Sequence, residues 1–369
     1  MPTNASAADL IRLRLASQRI SGDGTASATP SVRHLLALQA QDFAAACWAV
    51  GLRTRGSRLS DVISALDDGE IVRSWPMRGT LHMVAAEDLG WILSLTSARM
   101  LASTVTRRRQ LELDEQTLSR ARDLVIGALG GGRRLGRSEL MTLFEASGIT
   151  TGGQRGYHLL WYLAQTGLVC WGPTHRNQQA MVLLDEWVAS PRRLEPDEAL
   201  REFVLRYFSG HGPATLKDFA WWSKTTVADA TKGLALAADE LSELVVDGTS
   251  YWMARAEADT TPSKMPGGKR SVYALPGFDE YLLGYQDRSL VLADEFAPRI
   301  VPGNNGVFQA TIVAGGRVVG TWRRTQGSRE TALSAELFGD ALAWQHRGFG
   351  RAATRYGRFL GMPATVTLA

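Results

Sequence analysis

An α+β fold, with helical units repeated along most of the chain and a β-rich unit at its end, is what this sequence predicts. Three observations carry that expectation. Three stretches share one grammar, in which a helix of 3.6-residue periodicity meets a Gly or acidic break and then a short alternating hairpin. From about Arg270 the texture changes to strand-like runs separated by Gly, Pro and Asn turns. The apolar fraction of 45% and the charged fraction of 21% are those of an ordinary globular chain, and no segment approaches the roughly 18 uninterrupted apolar residues of a membrane span. At 369 residues the chain is long for a single core and should divide into two to four packed units.

Taken in order, Ser6–Ser17 reads as a helix with Leu10, Ile11, Leu13 and Leu15 as its apolar positions, followed by the linker SGDGTASATPS. A second helix is expected to start near Ser31, a good cap residue, and to carry Leu35, Leu36 and Leu38 into the segment LQAQD. The run FAAACWAVGLR is helical again. The three helix-and-hairpin stretches are Leu59–Val84, Gly156–Leu184 and Val227–Ala254. Further helices, Leu113–Ala128 and Ser138–Ser147, precede the second, and Asp197–Phe208 and Thr215–Ser223 precede the third. Helices followed by a β wing are the grammar of a winged helix-turn-helix, and three copies predict a tandem array. In the last part, IVAGGRVVGTW is a hairpin signal, and the expectation is a small β-barrel with a late helix, Ala332–Gly348, packed on it. The predicted units are 1–110, 111–192, 193–262 and 263–369.

The net charge of +4 is modest, but of the 41 basic residues only five are lysines, all after residue 216, so 36 are arginines. A GC-rich genome produces such a bias without any functional reason. Arginine is also the side chain that forks onto phosphates and base edges, so nucleic acid is permitted as a partner. The N-terminus lacks a basic start followed by an apolar run, which predicts a cytoplasmic protein rather than a secreted one. Cys47 and Cys170, far from any CxxC pattern, read as buried free thiols. No Cys/His cluster has zinc spacing, no phosphate-binding loop with its lysine appears, and no GxSxG elbow is found, so neither metal nor cofactor is expected.

Five polar sets stand out. In HLLALQAQDF, Gln39 and Gln41 lie about 200° apart on a regular helix, so they share a side only if the helix ends or bends there. The three groups Gln39, Gln41 and Asp42 are either the polar face of a half-buried helix or amides that hold a water or a sugar oxygen, with Asp42 as helper. In MRGTLHMV, Arg78, Thr80 and His82 alternate and project to one side of a strand; they form a wing packed around a satisfied histidine or a polar row facing DNA. Arg107, Arg108 and Arg109, like Arg133, Arg134 and Arg137, are basic clusters beside loops. Thr174, His175, Arg176, Asn177, Gln178 and Gln179 make a patch with no acid of its own. In HGPATLKDFAWWSKTT, Phe219, Trp221 and Trp222 are expected to bury a helix that leaves Lys217 and Lys224 outside. In LPGFDEYLLGYQDRS, Asp279, Glu280, Gln286, Asp287 and Arg288 form a dense set, with Asp287–Arg288 as a possible ion pair and a catalytic carboxylate as the alternative.

LQAQD, MRGTLHMV, GPATLKDFAWWS, ALPGFDEYLLGYQDRS and GGRVVGTWRR, in that order across nearly the whole chain, resemble the AlkZ/YcaQ winged-helix DNA glycosylase family. Gln39-Ala40-Gln41 matches the glutamine–hydrophobic–glutamine motif of its AlkZ branch, where the YcaQ branch has aspartate at the position of Gln41. The resemblance implies three winged helices and a β-barrel in a C-shaped clamp around duplex DNA. It implies a monofunctional enzyme that excises N7-alkylated guanines, including interstrand crosslinks left by a genotoxic natural product. Gln39 and Gln41 would be catalytic, and a C-terminal hairpin, around Pro302–Gly306 with Asn304 and Asn305 or at Gly315–Gly316, would probe the minor groove. The expected partner is double-stranded DNA carrying an alkylated or crosslinked guanine, with no membrane involved and the protein monomeric. The alternative from another class is a non-enzymatic winged-helix transcriptional regulator, for which QAQD is merely surface. A third reading is a hydrolase acting on RNA or nucleotides through the Asp279–Arg288 set.

Overall fold

The computed structural model describes residues 3–176, 178–260 and 268–368. Asn177 and the expected 262/263 boundary lie outside the described residues. The chain is α+β and folds as two compact units, Met1–Val62 with Arg201–Ala369, and Ile63–Leu200.

In the Ile63–Leu200 unit, five strands form an antiparallel array in the order Thr80–Ala85, Ile71–Met77, Val169–His175, Gln178–Leu183, Leu135–Gly136. Helices Leu89–Ser103, Glu115–Leu129, Arg137–Ala146 and Arg155–Gln165 are its longest helices, and Leu118, Val125, Leu140, Phe144, Leu160 and Trp161 form the core between them. Both long hairpins carry a proline in mid-strand, and each slips register around it, between Ser74 and Met77 and between Trp171 and Thr174. Proline has no N–H to give the ladder, so a bulge is the way a strand accommodates it. The turn after Met77 has positive φ at both Arg78 (57°) and Gly79 (69°), the mirror-image turn that suits the twist of a two-residue hairpin.

In the other unit, Ala7–Ser17 begins with a capping box of Ser6 and Asp9, and Leu216–Ser223 with one of Thr215 and Asp218. The third hairpin, Leu241–Val246 with Thr249–Ala254, turns through Asp247 and Gly248, again both at positive φ. The N-terminal Thr3–Asn4 adds to it in parallel. The C-terminal sheet has the order Val272–Leu275, Thr311–Ala314, Arg317–Gln326, Thr331–Leu337, Ala364–Leu368. Its pairs are antiparallel except the last. Its two edge strands stand at opposite ends of this order, so it is half a barrel rather than a closed one. Helix Ala343–Leu360 packs on it, with Trp48, Trp322, Tyr356 and Phe359 meeting ring to ring at 5.0–5.3 Å.

Three expectations about elements need correction. The second helix starts at Ala28, not near Ser31. Pro30 falls in its first turn, where the missing N–H is not needed, and Ser31 lies inside it, buried, with its hydroxyl 2.7 Å from that of Thr54. The late helix runs over Ala343–Leu360, because TALSAEL at 331–337 is a strand: its ladder to Arg317–Gln326 and the burial of Thr331, Leu333 and Ala335 override its helix-forming composition. Of the three aromatics in Leu216–Ser223, Phe219 and Trp222 are buried but Trp221 is half-exposed, lying under Lys224 and Arg288.

Candidate active site

The helix that leads to QAQD ends before it. Ala28–Leu35 stops at Leu36, whose φ of 66° and ψ of −51°, with Ala37 N–H donating to Leu35 O at 2.7 Å, define a γ-turn of the rare positive-φ kind. A leucine held this way carries backbone strain of about 1–3 kcal/mol. The strain is offset by burial: Leu35, Leu36, Ala37 and Leu38 are all 0–1% exposed, and each buried leucine contributes about 1.5–3 kcal/mol. Two outside contacts fix the helix end. The Arg206 guanidinium donates to Arg33 O, and Gly210 leaves no room for a Cβ against His34 O at 2.6 Å. His34 is held neutral, its pKa pushed down to about 3 by burial and then by Arg19, so its Nε2–H donates to Ser17 O at 2.6 Å.

After the turn the chain is extended over Leu38–Gln39. Burial then alternates, with Leu38 and Ala40 inside, Gln39 half-buried and Gln41 exposed. The burial pattern places Gln39 and Gln41 on the less buried side with Leu38 and Ala40 inside, which a straight helix would not allow. The next helix, Phe43–Arg53, starts immediately, and Asp42 is its N-cap, Oδ1 accepting from Ala45 N–H at 3.0 Å. The carboxylate proposed as a helper therefore has one oxygen engaged in capping.

The floor beneath this stretch comes from the fifth polar set. Glu280, 1% exposed, accepts Gln39 N–H on Oε1 at 3.1 Å and the Trp222 indole N–H on Oε2 at 2.8 Å, with His211 Nε2 3.4 Å from Oε2. Asp279 makes a fork-to-fork pair with Arg53, both bonds at 2.8 Å. Arg53 also donates to Gln18 O and Oε1 and to Ala49 O. Tyr285, its pKa pushed up to about 12 chiefly by burial, stays a hydroxyl and donates to His211 O at 2.7 Å. Asp279 and Glu280 are thus enclosed, which removes the solvent-facing hydrolase based on them. Arg288 donates to Leu282 O and lies over the rings of Trp221 and Phe308, while Asp287 accepts from Ser289 N–H at 2.9 Å.

The other candidates distribute as follows. His82 is fully buried and cannot face DNA: an arginine can only donate, so Arg78 donates to Nε2 at 2.9 Å and Nδ1–H donates to Thr80 O at 2.9 Å. It holds Arg78, which sits in the hairpin turn and not on the strand with Thr80 and His82, so the three do not form the single alternating row expected. Arg107 donates to Gln154, Arg108 to Leu101 O and Thr104, and Arg107 and Arg109 are exposed. The patch around His175 and Arg176 is not free of acids, since the fold brings Glu139 to 3.0 Å from Arg176 and 3.6 Å from His175. Lys217 and Lys224 are exposed, as are Asn304 and Asn305. Gly316, by contrast, is buried against Ile11 and takes the Tyr281 hydroxyl on its carbonyl at 2.7 Å, so the Gly315–Gly316 turn is not available to probe a groove. Among the described residues no group of His, Cys, Asp and Glu is arranged to hold a metal ion, and no helix is long and apolar enough to cross a membrane.

Two features went unnoticed in the sequence. The link between Glu280 and Gln39 spans 241 residues, and no local pattern announces it. The helix Ala343–Leu360 carries Arg347, Arg351, Arg355 and Arg358 with no acid, all four exposed; their 3- and 4-residue spacing was visible, but the helix was placed too early.

Beyond the strained break at Leu36, the less buried Gln39 and Gln41 flank the buried Ala40, and the enclosed Glu280 carboxylate holds the Gln39 peptide, on an α+β scaffold of helix-and-hairpin units. The family model described as DNA glycosylase AlkZ-like matches residues 32–359, and the chain belongs to that family. It is similar to a Streptomyces sahachiroi protein described as an interstrand DNA cross-link repair glycosylase, 30% identical over 318 residues that cover 80% of this chain and 82% of that one. The solved structure of the Streptomyces sahachiroi DNA glycosylase AlkZ matches with a TM-score of 0.84 at 26% identity, over 100% of both chains.

Proposed function

We propose that this glycosylase is monofunctional and hydrolyses the N-glycosidic bond of N7-alkylguanine in duplex DNA, interstrand crosslinks included, with Gln39 and Gln41 as the catalytic pair. The observation that supports the reading is the break at Leu36, after which Gln39 and Gln41 are less buried on either side of the enclosed Ala40. An N-glycosidic bond breaks with cationic character at the sugar C1′. An ordinary purine leaves as an anion and needs an acid. An N7-alkylguanine is already cationic and leaves neutral, so placing a water and stabilising the sugar cation suffice. Amide oxygens do both, more weakly than carboxylates, which suits an activated substrate and disfavours an unmodified base. The description of the Streptomyces sahachiroi relative supports crosslinked DNA as a substrate.

The helix-and-hairpin units, read as winged helices in the divisions 1–110, 111–192 and 193–262 before a C-terminal unit at 263–369, bind the duplex through the exposed cations Arg107, Arg109, Arg176, Lys217 and Lys224, with the half-buried Arg78 at its turn. The protein acts as a monomer. The experiment is base release from a duplex with one N7-methylguanine. Wild type should leave alkali-labile sites, and the Gln39→Ala, Gln41→Ala double variant should lose at least about 100-fold in rate, as the loss of positioning groups does, while still binding the duplex. A folded double variant that releases base at the wild-type rate would place the chemistry elsewhere.

A further inference from the structure

Glu280 takes no part in the chemistry just described, yet it touches the site from behind. Its two oxygens meet two fixed donors, the Gln39 peptide N–H at 3.1 Å and the Trp222 indole N–H at 2.8 Å. Both groups can only donate, one to each oxygen, so the pocket is built for a carboxylate anion. His211 Nε2 approaches the second oxygen at 3.4 Å, and its ring is stacked on Tyr207 at 4.7 Å and packed against Trp222. The Glu280 backbone carbonyl is held in turn by Gln18 Nε2 at 3.1 Å. At 1% exposed, the carboxylate can deliver neither a water nor a proton to a substrate.

Enclosing a charge costs several kcal/mol even when it is paired. A core made only for stability would gain more from an apolar side chain here. What the charge holds is informative. The γ-turn at Leu36 frees the following residues from helical hydrogen bonding, so the direction of the Gln39 side chain depends on how the Gln39 peptide is rotated. That peptide's N–H is the group Glu280 anchors. Misplacing a catalytic group by about 1 Å costs on the order of 100-fold in rate.

We propose that Glu280 is a positioning residue of the glycosylase site, its carboxylate fixing the Gln39 peptide so that both amides address the same sugar. The charge also lies behind the Gln39 peptide in a low-dielectric floor, where it favours the cation developing at the sugar those amides hold. The inference rests on Gln39 and Gln41 being the catalytic pair.

The test compares wild type, Glu280→Gln and Trp222→Phe, each measured for single-turnover release of N7-methylguanine, duplex affinity and thermal midpoint, with the Gln39→Ala, Gln41→Ala variant alongside. Glu280→Gln keeps the shape but turns an NH2 toward one of the donors. It should slow release by about 10- to 100-fold with duplex affinity unchanged, a split that a merely structural role would not produce. Trp222→Phe removes the other hydrogen bond and leaves Gln39 anchored, so it should lower the midpoint while changing the rate less than about threefold. Release by Glu280→Gln at the wild-type rate would overturn the proposal, and so would equal rate losses in the two variants. Should Glu280→Gln fail to fold, the wild-type Gln39 amide decides: its proton resonance should stand far downfield and its exchange be slow, as for an N–H bound to a carboxylate, and an ordinary shift with fast exchange would overturn the proposal. If the double glutamine variant releases base normally, the catalytic assignment falls first.

Discussion

Arg53 and Asp279 meet in the core with both side chains at 0–2% exposure, and five hydrogen bonds converge on the guanidinium. A buried pair of this kind adds little net stability over an apolar replacement, but removing one partner strands the other. Asp279→Asn leaves a buried cation half-matched and should destabilise the fold by ~3 kcal/mol. It should appear as a lower urea midpoint with an unchanged slope, and an unaltered midpoint would mean that Arg53 finds another acceptor. This pair holds the C-terminal end of Phe43–Arg53, the helix that Asp42 begins, so it fixes the stretch bearing Gln39 and Gln41 from the far side. At this scale the sequence was half legible. Gln39 and Gln41 stood out because a helix cannot turn both to one side. The purposes of His82, Asp279 and Glu280 did not, since a histidine facing a groove and one bracing an arginine read identically until burial is known.

Among the helices, Ala343–Leu360 is the one whose composition works against itself. Arg347 and Arg351, and Arg351 and Arg355, are like charges at i,i+4, each pair destabilising an isolated helix by about 0.2–0.5 kcal/mol, and no acid in the helix offsets them. Its opposite side is fully engaged, with Phe349, Ala353, Tyr356 and Phe359 at 0–2% exposure, so packing secures the helix; Arg355 also donates to Leu52 O, and Arg347, Arg351 and Arg358 are the arginines an anionic partner would meet. Replacing Arg347, Arg351 and Arg358 by glutamine should weaken duplex binding and flatten the salt dependence of affinity by about 2 to 3 in log–log slope, near 0.9 per lost phosphate contact, with a thermal midpoint equal to or above wild type. An unchanged slope in salt titrations would remove this helix from the DNA contacts. Its position was misread in the sequence because TALSAEL has the composition of a helix; only the partner strand Arg317–Gln326 makes it β. The three hairpins, by contrast, were legible as alternating runs after a helix, although the turn at Arg78–Gly79 was read as part of a strand. A break in the Ala28–Leu35 helix was expected too, but at QAQD; it falls earlier, because the device that ends the helix, a positive-φ leucine at 36, leaves no mark in the sequence.

For the molecule as a whole, the question is how the reaction ends once the base has gone. A glycosylase that also cuts the strand uses an amine to form a Schiff base with the sugar. The first 216 residues contain no lysine. Among the described residues Lys217, Lys224, Lys232 and Lys269 are exposed, and the groups gathered behind Gln39 are carboxylates, an imidazole, an indole, amides and a guanidinium. On the proposed reading water is the nucleophile, and the expected product is an intact strand with an abasic site. An interstrand crosslink fits the same scheme if the base stays where it is: a guanine tied to the opposite strand cannot be flipped into a closed pocket as most glycosylases require, and Gln41, exposed at the bend, can meet a sugar from outside the duplex. The expected outcome with a crosslinked duplex is therefore separation of the two strands, each of full length, with a break at the unhooked position only after alkali. Borohydride added during the reaction should trap no protein–DNA adduct. A trapped adduct, or a cut strand before alkali, would mean that one of the five lysines, or the terminal amine, reaches the sugar, and the hydrolytic reading would give way to a lyase.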